Sequence, residues 1–436
     1  MRLRISSPPC RVRYFHHGVG QGLFSSGVLT VGSSRFAWVH DCGSSSTGGA
    51  ALIARGHRRL DRELPLQGAR RRLDLLAVSH FDQDHISGIA DLVGRYEIGA
   101  VLLPYSPLWQ RLVAGFEEGG DPDLMRFCID PVAYLTSIDG ARIERIILVG
   151  PDGEAPASRL PAGKWAPESG EDLTGPTSLP PWRGGGDEPM ASHPTARIEV
   201  LPNGAPLRLL DLWEFVPFAD PVHAPARRSR FEREVVSRVA ALTGAKGAAT
   251  RRSALSALKA FFDKTFGGGP KARNRISLSL YAGPIDPPLQ VRLHARLIGG
   301  GAASRTLGAP QTDGRIGQLL TGDADLSSDA AFKRFARAFG RRTRLRRIGV
   351  FQVMHHGARG NSHDDAPKVI NPVWSVFSSD PGRKRPHPHS EIWSLYKAHG
   401  RVQVDTKRTL VVTAAFTPGT TTLRRWLLAG RLPLTL

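Results

Sequence analysis

Residues 73–88 read Leu-Asp-Leu-Leu-Ala-Val-Ser-His-Phe-Asp-Gln-Asp-His-Ile-Ser-Gly. An apolar run of strand type leads directly into two histidines and two aspartates within six positions. A buried strand holds its own end in place, so any fold that keeps this run sets those four side chains at one edge of a sheet. Alternate residues of an extended turn point to one side, so His80 and Asp82 can share one cation. Asp84 and His85, at the turn into the following helix, can face a second. Imidazole together with carboxylate suits Zn, Mn or Fe. A charged loop capping a helix accounts for one aspartate near the positive helix end, but not for four such residues together.

Apolar runs end in similar residues further along. "LLTGDADL" ends a strand in Gly322-Asp323, where a carboxylate can bridge two cations about 3.5–4 Å apart. "VFQVMHHG" ends another in His355-His356-Gly357, and "PHPHSEIW" sets His387 and His389 ahead of a helix. Between these lie short strands with glycine turns over 11–42, a helix after residue 86, a strand "GAVLLP", strands resuming at 274, a helix over about 326–339, and the closing strands "RVQVD" and "TLVVTAAF". This alternation of strand, loop and helix predicts a layered α/β fold. Residues 151–195, rich in Pro, Gly and Ser, predict an exposed loop, whereas 228–266 carries apolar residues at helical spacing.

At 436 residues the chain is long enough for two or three domains, or one large domain with insertions. With 41% hydrophobic and 22% charged residues it has an ordinary globular composition. No run of eighteen apolar residues occurs, so no membrane span is expected. The stretch "MRLRISSPPC" has no apolar signal core, and Cys10, Cys42 and Cys128 are too few and too scattered for a disulfide framework. A cytoplasmic setting is expected. The formal net charge of +20 favours polyanionic partners, above all nucleic acid. A general arginine bias of the proteome is the competing explanation, but the basic residues cluster in 227–275 and 332–347.

Taken in order, the motifs resemble the metallo-β-lactamase superfamily. Within it they are similar to the soluble hydrolase domain of the DNA-uptake protein ComEC and its stand-alone relatives. The residues that carry this are Val19-Gly20-Gln21-Gly22, Asp41-Cys42-Gly43, Ser79-His80-Phe81-Asp82-Gln83-Asp84-His85, Asn274-Arg275-Ile276-Ser277, Thr321-Gly322-Asp323, His355-His356-Gly357-Ala358 and His387-Pro388. The likeness covers roughly 12–104 and 272–416. The chain departs from the family pattern at Gly18, Leu23, Ile89, Ala358 and Pro386, none of them an expected ligand.

The resemblance implies a four-layer αββα sandwich whose first half is 1–104 and second half 272–436. A large insert at 105–271 would lie between them, loop-rich over 151–226 and basic and helical over 227–271. It implies two divalent metal ions, Zn or Mn. His80 and Asp82 would hold the first, Asp84, His85 and His387 the second, and Asp323 would bridge. Asn274 stands where the first site usually has a histidine. Asp41 would orient a ligand from behind. Asp84 would take a proton from an activated hydroxide's parent water, and His355 or His356 would bind phosphate or protonate the leaving oxygen. The reading that follows is a phosphodiesterase or nuclease on DNA or RNA, with Arg227, Arg228, Arg230, Arg251 and Arg252 of the insert guiding the polyanion. Two alternatives stay open. One is a small-molecule hydrolase of the same fold, acting on a cyclic nucleotide, thioester or lactone. The other is a partner-dependent component of a bacterial defence operon, docked through the insert.

Overall fold

Strand β1 (Cys10–His16) turns Cys10, Val12 and Tyr14 inward and Arg11 and Arg13 outward, the alternation of a strand with one face on a core. It pairs antiparallel with β2 (Phe24–Val31), which pairs with β3 (Ser34–Cys42). The apolar run of the ligand motif is β4 (Arg70–Ala77); it pairs parallel with β3 and with β5 (Tyr96–Pro104). The computed structural model describes residues 10–67, 69–105, 111, 122–150, 183–184, 188–189, 196–209, 211–220, short runs and single positions between 234 and 261, 277–299, 304–307, 313–340, 343–383 and 387–419.

The first sheet continues through β6 (Arg142–Gly150) to β7 (Arg197–Pro202), both parallel to β5. The second sheet begins with β8 (Leu207–Leu209) and β9 (Trp213–Ala219) beside β10 (Leu278–Pro284). Next in the chain, β11 (Gln290–Gly299) and the short β12 (Arg305–Thr306) return to the first sheet. The second sheet then runs on through β13 (Gly317–Leu320), β14 (Ile348–Gln352), β15 (Trp374–Ser378) and β16 (Arg401–Val404). The chain finally crosses back as β17 (Arg408–Thr417), which inserts between β1 and β11. The first sheet therefore runs β7-β6-β5-β4-β3-β2-β1-β17-β11-β12, with Leu66–Gln67 paired to β4, and the second β8-β9-β10-β13-β14-β15-β16.

Three apolar clusters give the layers. One joins Trp38, Leu75 and Val412 of the first sheet to Trp213, Leu280 and Val350 of the second, so the sheets pack face to face. Another packs the outer face of the first sheet against α1 (Gly49–Glu63), whose Ile53, Gly56 and Leu60 are buried. The third packs the outer face of the second sheet against α2 (Asp329–Ala338) through Phe332, Phe335 and Ala336. Helix α2 starts at Ser328, whose hydroxyl accepts from the Ala331 amide. The result is the αββα sandwich that the sequence implied.

The segment 105–271 is not set apart as one block. Its runs "RIERIILVG" and "WEFVPFA" are β6 and β9, built into the first and second sheets. Both are apolar enough to be sheet strands, but neither carries a ligand, so motif reasoning had no reason to place them. Of the helical stretch expected at 228–266, the described positions (234–235, 237–239, 241, 249–250, 253–254, 256–258 and 260–261) are all helical. Among the described residues, no helix is long and apolar enough to cross a membrane.

Candidate metal centre

The motif residues gather at the edge where β3, β4, β13, β14 and β15 end. His80 and Asp82 follow β4, and Asp84 and His85 lie in the single turn Gln83–Ile86. Asp323 follows β13, and His355 and His356 follow β14. The motif loop is pinned by glycines. Gly22 has φ +144° and brings the backbone of the Val19–Gly22 turn against the loop, so that the Leu23 amide donates to the Asp84 carbonyl at 3.0 Å. A Cβ on Gly43 would lie 2.4 Å from the His85 carbonyl carbon and 2.5 Å from that of Asp84.

Asp323 faces two ways. Its Oδ1 is 3.2 Å from His85 Nε2 and 3.6 Å from His356 Nε2. Its Oδ2 is 3.5 Å from His355 Nε2 and 4.0 Å from His80 Nε2. Beyond these, Asp82 Oδ2 is 3.6 Å from His80 Nε2, and Asp84 Oδ2 is 3.2 Å from His356 Nε2. The ligand atoms of His80, His85 and Asp323 lie within 4.8 Å of one another, as do those of Asp84, His85 and His356. His80 Nε2, His85 Nε2, His356 Nε2 and Asp323 Oδ1 are buried, yet among the described residues none has a hydrogen-bond partner. Buried polar atoms without partners are costly, so converging ones mark a site that takes something in. Ligands about 2.1 Å from a tetrahedral Zn sit about 3.4 Å apart, close to the separations here. The residues present fit a divalent metal site.

The opposite ring nitrogens are held by the protein. His85 Nδ1 meets Asp41 Oδ2 at 2.8 Å, and His356 Nδ1 donates to the Ser378 carbonyl at 2.5 Å. Asp41 also accepts from the Ser79 amide and hydroxyl, both at 2.6 Å. Each imidazole thus turns Nε2 to the centre, the arrangement that orients a metal ligand. The Asp323 backbone amide donates to Ser277 Oγ at 2.9 Å, fixing the start of its turn.

Burial by itself would lower the pKa of His85, but Asp323, Asp84 and Asp41 carry it well above the ordinary value. Burial would likewise raise Asp323, and His355, His85 and His356 bring it below the usual carboxylate range. The carboxylates therefore select positive charge at this spot. His387 behaves differently: burial, then His356, His355 and His389, push it down to about 4.

Asp41, His80, Asp82, Asp84, His85 and Asp323 are thus brought together, with both histidines of the pair: His356 buried on the Oδ1 side and His355 more exposed on the Oδ2 side. His387 stands further out, its ring 5.7 Å from that of His355 and 6.3 Å from that of His356. It is not among the residues whose ligand atoms cluster within 4.8 Å. Asn274, Arg227, Arg228, Arg230, Arg251 and Arg252 lie outside the described residues. Ser79 and Ser277 stand in the motifs quoted above without a role assigned; here Ser79 bonds the Asp41 carboxylate and Ser277 accepts from the Asp323 amide.

No family model and no curated protein matches the chain. Among solved structures it is similar to the Zn(2+)-bound PqqB from Methylobacterium extorquens, at 7% sequence identity with a TM-score of 0.37, over 91% of this chain and 99% of that chain.

Asp41→Asn should lower metal affinity about 10–100-fold while leaving every facing ligand in place, because the neutral amide no longer fixes the His85 ring. Chelator competition measures this. Unchanged affinity would mean that Asp41 does not orient His85.

Proposed function

We propose that the chain is a metal-dependent hydrolase that cleaves phosphodiester bonds of nucleic acid. The observation that carries this is Asp323, whose two oxygens face two separate sets of histidines at a buried sheet edge. His80, Asp82 and His355 would hold one ion, Asp84, His85 and His356 the other, and Asp323 would bridge. His387 and Asn274 remain candidates to complete the two sites. Two divalent ions, Zn or Mn, would there polarise a phosphoryl oxygen and lower the pKa of water.

The chain's own residues supply the rest. Asp84 is partly exposed beside the cluster and can accept a proton at its carboxylate. His355, the more open of the pair with a side chain 26% exposed, can hydrogen-bond a phosphate or protonate the leaving oxygen at Nε2. The charge of +20 favours a polyanionic substrate over a neutral thioester or lactone. The insert arginines, with Arg227 and Arg251 among them, are proposed to follow its backbone.

The test is elemental analysis of the purified chain beside cleavage of single-stranded DNA, duplex DNA, RNA and bis-p-nitrophenyl phosphate, with Mn and Zn added separately. The expected result is one to two ions per chain and metal-dependent cleavage of the small diester and at least one nucleic acid. A metal-free chain, or one inert toward every diester, would overturn the reading.

A further inference from the structure

Among the described residues, the outer face of the first sheet is only partly covered. Helix α1 lies over β2, β3 and β4, where Val28, Val39 and Leu73 are buried in the cluster it shares. The strands β1, β17 and β11 lie beyond it, and their outward residues fall into register. Arg11 pairs across to Ala415 and on to Arg292; Arg13 pairs to Thr413 and on to His294; Phe15 pairs to Val411 and on to Arg296. Arg11, Arg292, His294, Arg296 and Ala415 are exposed. These three strands contain no Asp or Glu.

The sizes of the side chains in these rows give the face the form of a shallow trough. Small side chains of β17, Thr413 and Ala415, form the floor, with basic side chains on either side. Arg11 and Arg292 stand two inter-strand spacings apart, about 9.5 Å, and basic residues recur along β11 every two residues, about 6.8 Å. Helix α1 adds Arg59 near His17, the residue that follows β1, with Arg55 and Arg62 beside it. Arg13 is ion-paired with Glu63 at 2.7 Å, but among the described residues Arg11, Arg59, Arg292 and Arg296 have no carboxylate partner. Like charges left together without counter-charges repel one another and favour an anion between them. Arg55 donates to the carbonyls of Gly18 and Thr406, both at 2.6 Å, so this end of the trough abuts the Val19–Gly22 turn that holds the ligand loop.

We infer, resting on the nucleic-acid reading of the site, that this trough binds a single nucleic-acid backbone and leads it to the metal edge. Phosphates would meet Arg292, Arg296 and Arg11, while the floor of small residues lets the strand lie close. Contacts of this kind supply affinity without sequence preference, and they weaken with salt as counterions are released.

The experiment uses the full chain, a fluorescein-labelled oligothymidylate and salt between about 50 and 200 mM. Each lost single-strand phosphate contact removes about 0.7 from the slope of log affinity against log salt, so Arg292→Ala with Arg296→Ala should flatten it by about 1.4. Arg292→Lys with Arg296→Lys should restore it, since only charge is needed. Turnover of bis-p-nitrophenyl phosphate should be unchanged in both variants, because the small diester has no need of the trough. An unaltered slope in the alanine variant would overturn the inference. So would loss of binding to phosphatidylserine vesicles with oligonucleotide binding intact, which would make the face a membrane contact. If the wild-type chain binds the oligonucleotide through these arginines yet cleaves no diester, the trough stands and the hydrolase reading falls.

Discussion

Asp323→Asn should remove both the metal and the activity. The two oxygens of this carboxylate face His85 and His356 on one side and His355 and His80 on the other. Asn keeps the size but not the charge, and its amide nitrogen cannot ligate a cation. Each side then loses a charged ligand at once. Losing charge stabilisation worth about 4 kcal/mol corresponds to a rate about a thousandfold lower. Metal content by elemental analysis should fall to below half, with hydrolysis of bis-p-nitrophenyl phosphate near background. The bond to Ser277 Oγ comes from the backbone amide of this residue, which the substitution leaves in place. The fold should therefore persist, as circular dichroism would show. Full metal content in this variant would mean that Asp323 does not bridge.

Gly43→Val should damage the centre from behind without replacing a ligand. The added Cβ would lie 2.4 Å from the His85 carbonyl carbon and 2.5 Å from that of Asp84, and both are backbone atoms. Backbone cannot swing aside as a side chain can, so either Gly43 or the ligand loop has to move. Overpacking of this sort costs about 1–3 kcal/mol. A shift of about 1 Å in ligand position can cost about a hundredfold in rate. The expected result is a lower melting temperature, metal affinity reduced at least tenfold and activity reduced by about a hundredfold. Gly360→Ala is the control: nothing lies within 4 Å of its added Cβ, and its effect on stability should stay within about 0.5 kcal/mol. If Gly43→Val binds metal like the parent, the glycine is not what sets the loop.

Much of the site was legible because its residues are local in sequence and sit at strand ends. His80 to His85 span six positions, and Gly322-Asp323 closes an apolar run, so spacing alone indicates their chemistry. The division of labour between His355 and His356 was not legible. In a strand, neighbours point to opposite faces, so the sequence offered one histidine for the site at most. Here both have left-handed backbones, φ 44° and 55°, and the turn aims both at Asp323. Such conformations cost about 1–3 kcal/mol each in a non-glycine residue and gather where function needs them. No residue pattern announces them. The same limit applies to β6 and β9: an apolar run can mark a strand, but not which sheet will take it.

The pairing of β1 with β17 joins Cys10 to Phe416 and His16 to Leu410. During synthesis these partners are separated in time as well as in sequence. At roughly 5–20 residues per second, the roughly 400 residues between them take about 20–80 s to appear. Until then β1 has β2 on one side only, and its other edge is open to any passing strand. Charged side chains on such an edge discourage mispairing, and Arg11 and Arg13 project from this one. Arg13 can find Glu63 of α1 early, long before β17 exists. Arg11 therefore guards an unfinished edge on the nascent chain, and lines the trough once β17 has closed the sheet.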